Sequence, residues 1–98
     1  MERPTPGRLC RKQIAAHYGV GRTTVWRWER EGLHLHHGGA TVRELEWFHL
    51  QRDLAKREKI PVKTFFAMPL ATRIDLVWAK HEDAAVKHFE TPAPATIG

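Results

Sequence analysis

The sequence predicts a mostly α-helical fold: a helix-turn-helix with a short or rudimentary wing, followed by two further helices. Three observations predict it. Residues 11–32 have the pattern of two helices joined by a glycine-containing turn, a helix start signal stands at Thr41, and one apolar stripe follows Pro69. Ninety-eight residues suffice for one small domain, or a domain with an appended helix.

The first two helices are predicted over residues 11–18 and 22–31. Ala15 is small enough to let the second helix cross close to the first. Gly19 can adopt the positive φ that a sharp turn requires. The apolar side chains expected to face into the angle between the helices are Val20, Val25 and Trp28.

The outward face of the second helix is cationic. At about 100° per residue, the face opposite Val25 and Trp28 carries side chains that can bond phosphates or base edges. The second helix of such a unit lies in the DNA major groove, although a solvated basic face is the plainer alternative. The residues expected to contact double-stranded DNA are Arg22, Thr23, Trp26, Arg27 and Arg30, flanked by Arg11, Lys12, His36 and His37. Trp26 could instead pack under a wing or against a second subunit.

The distribution of charge favours a polyanionic partner. The net charge is +5, of which +4 falls in residues 1–40 and +1 in residues 41–98.

The single cysteine, Cys10, excludes an internal disulfide and suits a reducing cytoplasm. No apolar signal segment follows the charged start, and the apolar run 65–71 is too short for a membrane span. We therefore expect a cytoplasmic protein with no membrane partner.

The domain boundaries follow from proline, glycine and capping signals. Residues 1–7 are expected to be a flexible arm, and residues 8–59 the winged helix-turn-helix domain. Within it, the alternation and double glycine of residues 33–40 predict a short extended segment and a turn, where a wing would lie. Thr41 and Glu44 form a capping box that opens a helix over residues 42–59.

The helix over residues 42–59 has two apolar sides. One side carries Val42, Leu45 and Phe48, and the other carries Trp47, Leu50 and Leu54. A helix with two apolar faces is expected to lie between two layers. One face can cover the helix-turn-helix, and the other requires a further helix or another subunit.

Residues 60–90 are expected to form a helical packing or oligomerisation element, and residues 91–98 a disordered tail. Within residues 60–90, a helix with one apolar stripe is predicted from Pro69 to Phe89. This stripe either closes the core of the monomer or binds another subunit or partner. The residues expected at such an interface are Ile74, Val77, Trp78, His81 and Phe89.

A weak internal repeat relates residues 54–68 to residues 14–28 at an offset of forty positions. The apolar and small positions match, but only two of the fifteen residues are identical. A second helix-turn-helix-like corner and an ordinary helix-loop-helix both remain open.

The sequence contains no pattern typical of catalysis. The cluster of His34, His36 and His37 lacks the further ligands of a zinc site, and Cys10 stands alone. There is no glycine-rich phosphate loop and no nucleophile motif. We therefore expect no metal, no cofactor and no enzymatic activity.

Several short motifs occur here in a familiar order and spacing. They are K-Q-I-A at 12–15, a G-V turn at 19–20, T-T-V at 23–25, Trp28, Gly32, Gly38-Gly39, Trp47 and Arg52-Asp53. Together they resemble the N-terminal domain of lambdoid phage terminase small subunits over about residues 10–58, a winged helix-turn-helix of the broader class that includes MerR-type regulators and excisionases. The chain departs from that pattern in its short wing and in Gly21, where a serine or threonine often caps the recognition helix.

The resemblance implies a phage protein in a bacterial host cell that marks the DNA packaging site, oligomerises and recruits the large ATPase subunit of the terminase. Residues 69–89 would then serve assembly or recruitment. A transcriptional regulator or excisionase of the same fold competes closely with this assignment. A function of another class is a protein-interaction adaptor that binds no DNA, which salt-dependent DNA binding would exclude.

Overall fold

The structure is a computed structural model that describes residues 7–90 and is mostly helical, with one small antiparallel sheet. The predicted arm and tail lie almost entirely outside the described residues. The elements in chain order are β1 Arg8–Leu9, α1 Arg11–Tyr18, α2 Arg22–Glu31, β2 Ala40–Thr41, α3 Val42–Arg57, α4 Val62–Ala67, α5 Leu70–Lys80, α6 Glu82–Ala85 and a π-helical segment Val86–Glu90. Contacts divide the chain into two compact units, Met1–Phe48 and His49–Gly98, and α3 contributes to both.

The first two helices have the bounds that the sequence predicts. The Gln13 side-chain oxygen accepts a hydrogen bond from the N–H of Cys10 and so caps the start of α1. Gly19 ends α1 in the left-handed region with φ 66°. The N–H of Val20 then donates to the carbonyl of Ala15 over 2.9 Å, which closes the turn toward α2.

The core of the first unit lies between these helices and the start of α3. The largest fully buried side chains there are Ile14, Val25 and Leu45. The Trp28 ring meets the Tyr18 ring edge-on at 5.5 Å between centroids. Its centroid also lies 6.2 Å from that of the Phe48 ring. Trp28 therefore anchors α2 to both α1 and α3.

The predicted turn after α2 is a tight hairpin. His36 and Gly39 exchange two backbone hydrogen bonds, and the residues between them, His37 and Gly38, have φ of 54° and 80°. Positive φ at both central positions is the geometry of a two-residue β-hairpin turn. The chain then enters β2, which pairs with β1 in the register Arg8 with Thr41 and Leu9 with Ala40.

Side-chain bonds fix the base of this hairpin to α3. The predicted capping box is confirmed: Glu44 N–H donates to the Thr41 hydroxyl, and Thr41 N–H donates to the Glu44 carboxylate, each over 3.0 Å. The same carboxylate receives two hydrogen bonds from Arg8, at 2.7 and 3.2 Å. Arg8 also donates to the carbonyl of Gly39.

The second unit has its own core. The buried apolar side chains there are Leu54, Ala55, Phe65, Val77 and Ala85. Gln51 is the buried polar side chain, and its oxygen accepts a 2.6 Å hydrogen bond from Arg73 on α5. Arg73 also donates to the Met68 carbonyl and lies over the Phe66 ring, so it ties α3, α4 and α5 together. Burial lowers the pKa of Arg73.

The prediction of one continuous helix from Pro69 to Phe89 is wrong. His81 leaves the helical region with φ −149° and ψ 53°, and α5 ends at Lys80. The His81 carbonyl accepts from the N–H of Ala85, which starts a new helix. Two acidic residues, Glu82 and Asp83, stand in its first turn, where the helix dipole favours negative charge.

Candidate nucleic-acid interface

Helix α2 divides into a buried face and an exposed face as the sequence predicts. Val25 and Trp28 are buried. The exposed side chains are Arg22, Thr23, Trp26, Arg27 and Arg30. Trp26 is 53% exposed, so it does not pack under the hairpin within this chain. The five side chains predicted on the outward face therefore share one solvent-facing surface, which we call the α2 surface.

The arginines of the α2 surface differ from the other arginines described. Arg8 pairs with Glu44, Arg11 with Glu29, Arg57 lies 3.1 Å from a ring nitrogen of His81, and Arg73 bonds Gln51. Arg43 and Arg52 also have interactions. Within residues 7–90, the arginine side chains with neither a hydrogen-bond nor an ion-pair partner are those of Arg22, Arg27 and Arg30. The donors of these three guanidinium groups are therefore available to a ligand.

Arg11, a predicted DNA contact, is engaged within the chain. Its Nε and Nη2 donate to the two carboxylate oxygens of Glu29 over 2.7 and 2.9 Å. The hydrogen bond and charge of Glu29 raise the pKa of Arg11. Arg11 thus joins α1 to α2 beside the α2 surface, while its neighbour Lys12 is exposed. Sequence reasoning missed this pair, which joins residues 18 positions apart in the chain.

The solvent-exposed end of the hairpin carries two histidines. His36 and His37 are exposed, and His37 stands at the tip of the turn. His36 lies close enough to Glu44 to contribute to the lowered pKa of that carboxyl group. Burial acts to raise the pKa of that carboxyl group, but hydrogen bonds from Arg8 and Thr41 together with nearby positive charge lower it overall. The rings of His34 and His36 lie 6.3 Å apart.

The residues predicted for an oligomer or partner interface are only partly on the surface. Val77 is fully buried and belongs to the core of the second unit, so its assignment to an interface is corrected. Ile74, Trp78 and His81 are half-buried, and Phe89 is exposed. The rings of Trp78 and Phe89 stack at 6.0 Å. The stripe therefore divides between core packing and an aromatic surface pair.

Residues 7–90 contain neither a cluster of metal ligands nor a membrane-spanning helix. Among them, no group of three or more histidine, cysteine, aspartate or glutamate side chains is arranged to hold a metal ion. None of the described helices combines the length and the apolar composition needed to cross a membrane.

Comparison of the whole chain with protein-family models, with curated proteins and with solved structures returns no match.

Proposed function

We propose that this chain is a non-enzymatic protein that binds double-stranded DNA by placing α2 in the major groove, with α1 and α2 acting as a helix-turn-helix. The observation that carries the proposal is the set of three unpartnered arginines on the α2 surface. Arginine forks match guanine O6 and N7 or phosphate oxygens, and Thr23 can bond either.

The rest of the first unit supports α2 as a rigid reading element. Val25 and Trp28 lock its inner face into the core. The ion pair of Arg11 with Glu29 limits its movement relative to α1. A recognition element must hold its side chains in a fixed geometry, because ordering them on binding would cost affinity.

The hairpin is proposed as a rudimentary wing. Its tip, His37-Gly38, is exposed, and Arg8 and Glu44 fix its base. A short wing of this kind would contact the sugar-phosphate backbone through His36 and His37 rather than base edges.

Within this class, the favoured role is that of a phage terminase small subunit acting in a bacterial host cell. It rests on the motif resemblance over residues 10–58, which implies DNA-site recognition, oligomerisation and recruitment of a larger ATPase subunit. A transcriptional regulator or excisionase is the alternative within the same fold. A large terminase gene adjacent to the coding gene would favour the first role, and its absence would favour the second.

The experiment that tests DNA binding uses the full chain and a random-sequence duplex pool, followed by titration of an enriched and an unrelated duplex at several salt concentrations. We expect Arg27→Gln to weaken binding of the enriched duplex more than that of the unrelated one. Lys80→Gln is the matched control, because it removes one positive charge from an exposed side chain of the second unit. Failure of the full chain to bind any duplex at low salt would reject the proposal and favour a protein-interaction adaptor.

A further inference from the structure

The turn between α3 and α4 has the same backbone geometry as the turn between α1 and α2, forty positions earlier. We call residues 14–28 the first corner and residues 54–68 the second corner. Gly19 has φ 66° in the first, and Lys59 has φ 61° in the second. The N–H of each donates to the carbonyl three residues before it over 3.2 Å.

The hydrogen bond that closes each turn is also repeated. Val20 N–H donates to the Ala15 carbonyl over 2.9 Å, and Ile60 N–H donates to the Ala55 carbonyl over 2.8 Å. This six-to-one bond after a left-handed residue ends a helix sharply. The weak sequence repeat therefore corresponds to a repeated backbone turn, although α4 has six residues where α2 has ten.

Burial follows the same repeat. Three of the four buried side chains of the first corner have a buried counterpart forty residues later, whereas Met68, the counterpart of Trp28, is half-buried. The pairs are Ile14 with Leu54, Ala15 with Ala55, and Val25 with Phe65. The second corner thus has the framework of the first, with an inward face that serves the core and an outward face left to solvent.

The two corners differ in the residue that adopts positive φ. A lysine side chain in the left-handed region is strained, whereas glycine is not. Such strain concentrates at functional positions, where the side chain matters more than the backbone cost. Lys59 is exposed, as are Lys56 and Lys63. Lys63 stands at the position equivalent to Thr23 on the α2 surface.

The outward face of the second corner lacks groups suited to reading bases. The positions equivalent to Arg22 and Arg27 are Val62 and Ala67. Lysine ammonium groups are compact cations that bind phosphate without sequence information. This composition suits the backbone of a duplex rather than its groove.

We propose that the second corner is a further DNA-binding site, in which Lys59 and Lys63 contact phosphates of duplex DNA and Lys56 lies beside them. The inference rests on the proposed function, since it assigns a second contact to the same ligand. The second unit then contributes sequence-independent affinity for DNA, and the α2 surface contributes sequence-dependent affinity.

Lys59→Gly tests this without endangering the fold, because it removes the charge and relieves the backbone strain. We expect Tm to rise by roughly 4 °C while affinity for an enriched and an unrelated duplex falls equally, by about eightfold at 0.1 M salt. Lys59→Gly combined with Lys63→Gln should lower the slope of log affinity against log salt by about 1.8. Lys80→Gln is the control and should leave the slope unchanged.

The outcomes separate the two proposals. If the double variant keeps the full slope while Arg27→Gln still loses affinity, the second corner is structural only and the α2 surface alone binds DNA. A loss confined to the enriched duplex would also overturn the inference, because it would mean base reading rather than phosphate contact. If the unaltered chain binds no duplex at all, both proposals fall.

Discussion

Arg11 and Glu29 form a two-pronged ion pair that joins α1 to α2, with nitrogen–oxygen distances of 2.7 and 2.9 Å. The pair lies at the edge of the α2 surface and is partly solvated, since the side chain of Arg11 is 56% exposed. It therefore affects two properties at once: the rigidity of the helix pair and the charge presented to a polyanion.

We expect a double-mutant cycle with Arg11→Ala and Glu29→Gln to give a coupling free energy of about 0.5 kcal/mol, because solvated pairs contribute little. Urea unfolding measures it, and raised salt should reduce it. Glu29→Gln alone should strengthen binding of any duplex, since it frees Arg11 and removes a negative charge. Asp75→Asn, the same change of charge on α5, is the control. Unchanged affinity for Glu29→Gln would remove Arg11 from the DNA contacts.

Two tryptophans of α2 should respond in opposite ways to substitution. Trp28 is 6% exposed and packs against Tyr18 and Phe48, so Trp28→Ala should lower the free energy of unfolding by about 3–5 kcal/mol. Trp26→Ala should change stability by no more than about 0.5 kcal/mol and should weaken DNA binding. Thermal unfolding and duplex titration measure both. A Trp26→Ala variant with reduced stability would place that side chain in packing instead.

Gly39 is required by the close approach of β1. A Cβ at this position would lie 2.5 Å from the carbonyl oxygen of Leu9, so the backbone would have to move. We expect Gly39→Ala to destabilise the chain by about 1–3 kcal/mol. Gly21→Ser is the matched control, because open space surrounds Gly21 and serine can cap α2, with a gain of a few tenths of a kcal/mol. Equal stability of Gly39→Ala and the unaltered chain would contradict the sheet pairing.

Local signals made the first half of the fold predictable. Gly19 ends α1, Gly32 ends α2, and the capping box of Thr41 with Glu44 begins α3. These signals act within a few residues, so the sequence places α1, α2 and the start of α3 correctly. The α2 surface follows from helical periodicity alone. Arg8 with Glu44 and Arg73 with Gln51 join residues 36 and 22 positions apart, and no local pattern identifies them.

The helix break at His81 was missed for a related reason. The residues on both sides of His81 continue one apolar stripe at helical spacing. The periodicity of apolar residues therefore gives no sign that the backbone leaves the helical region at His81. The acidic pair Glu82 and Asp83 was the available signal, since acidic residues favour a first helical turn. In the second corner, the left-handed residue is Lys59. The turn was not predicted there because positive φ is usually indicated by a glycine.

The stability of the chain should depend on the ionisation of Glu44. Burial acts to raise its pKa, but the hydrogen bonds from Arg8 and Thr41 and nearby positive charge lower it overall below the ordinary value of 4.5. A carboxyl group whose pKa is lowered by folding stabilises the folded state above its ordinary pKa. That contribution is lost as the pH falls through the lowered value.

Glu44→Gln should therefore be less stable than the unaltered chain at pH 7, with a difference that shrinks as the pH falls below about 4.5. Urea unfolding at pH 7, 5 and 3 measures this difference. Glu58→Gln, at an exposed position, is the control. A deficit of Glu44→Gln that stays constant across this range would mean that the charge of Glu44 contributes nothing and that the variant loses only a hydrogen-bond acceptor.

The last prediction separates core from interface in the second unit. Val77 is fully buried, so Val77→Ala should cost roughly 2 kcal/mol whatever the oligomeric state. Phe89 is 39% exposed and stacks on Trp78, so an aromatic pair faces solvent. If this pair joins copies of the chain on DNA, Phe89→Arg should leave the unfolding transition in place and reduce the mass of the complexes. Sedimentation of both variants with and without duplex DNA measures this. Complexes of unchanged mass for Phe89→Arg would leave the aromatic pair with a packing role alone.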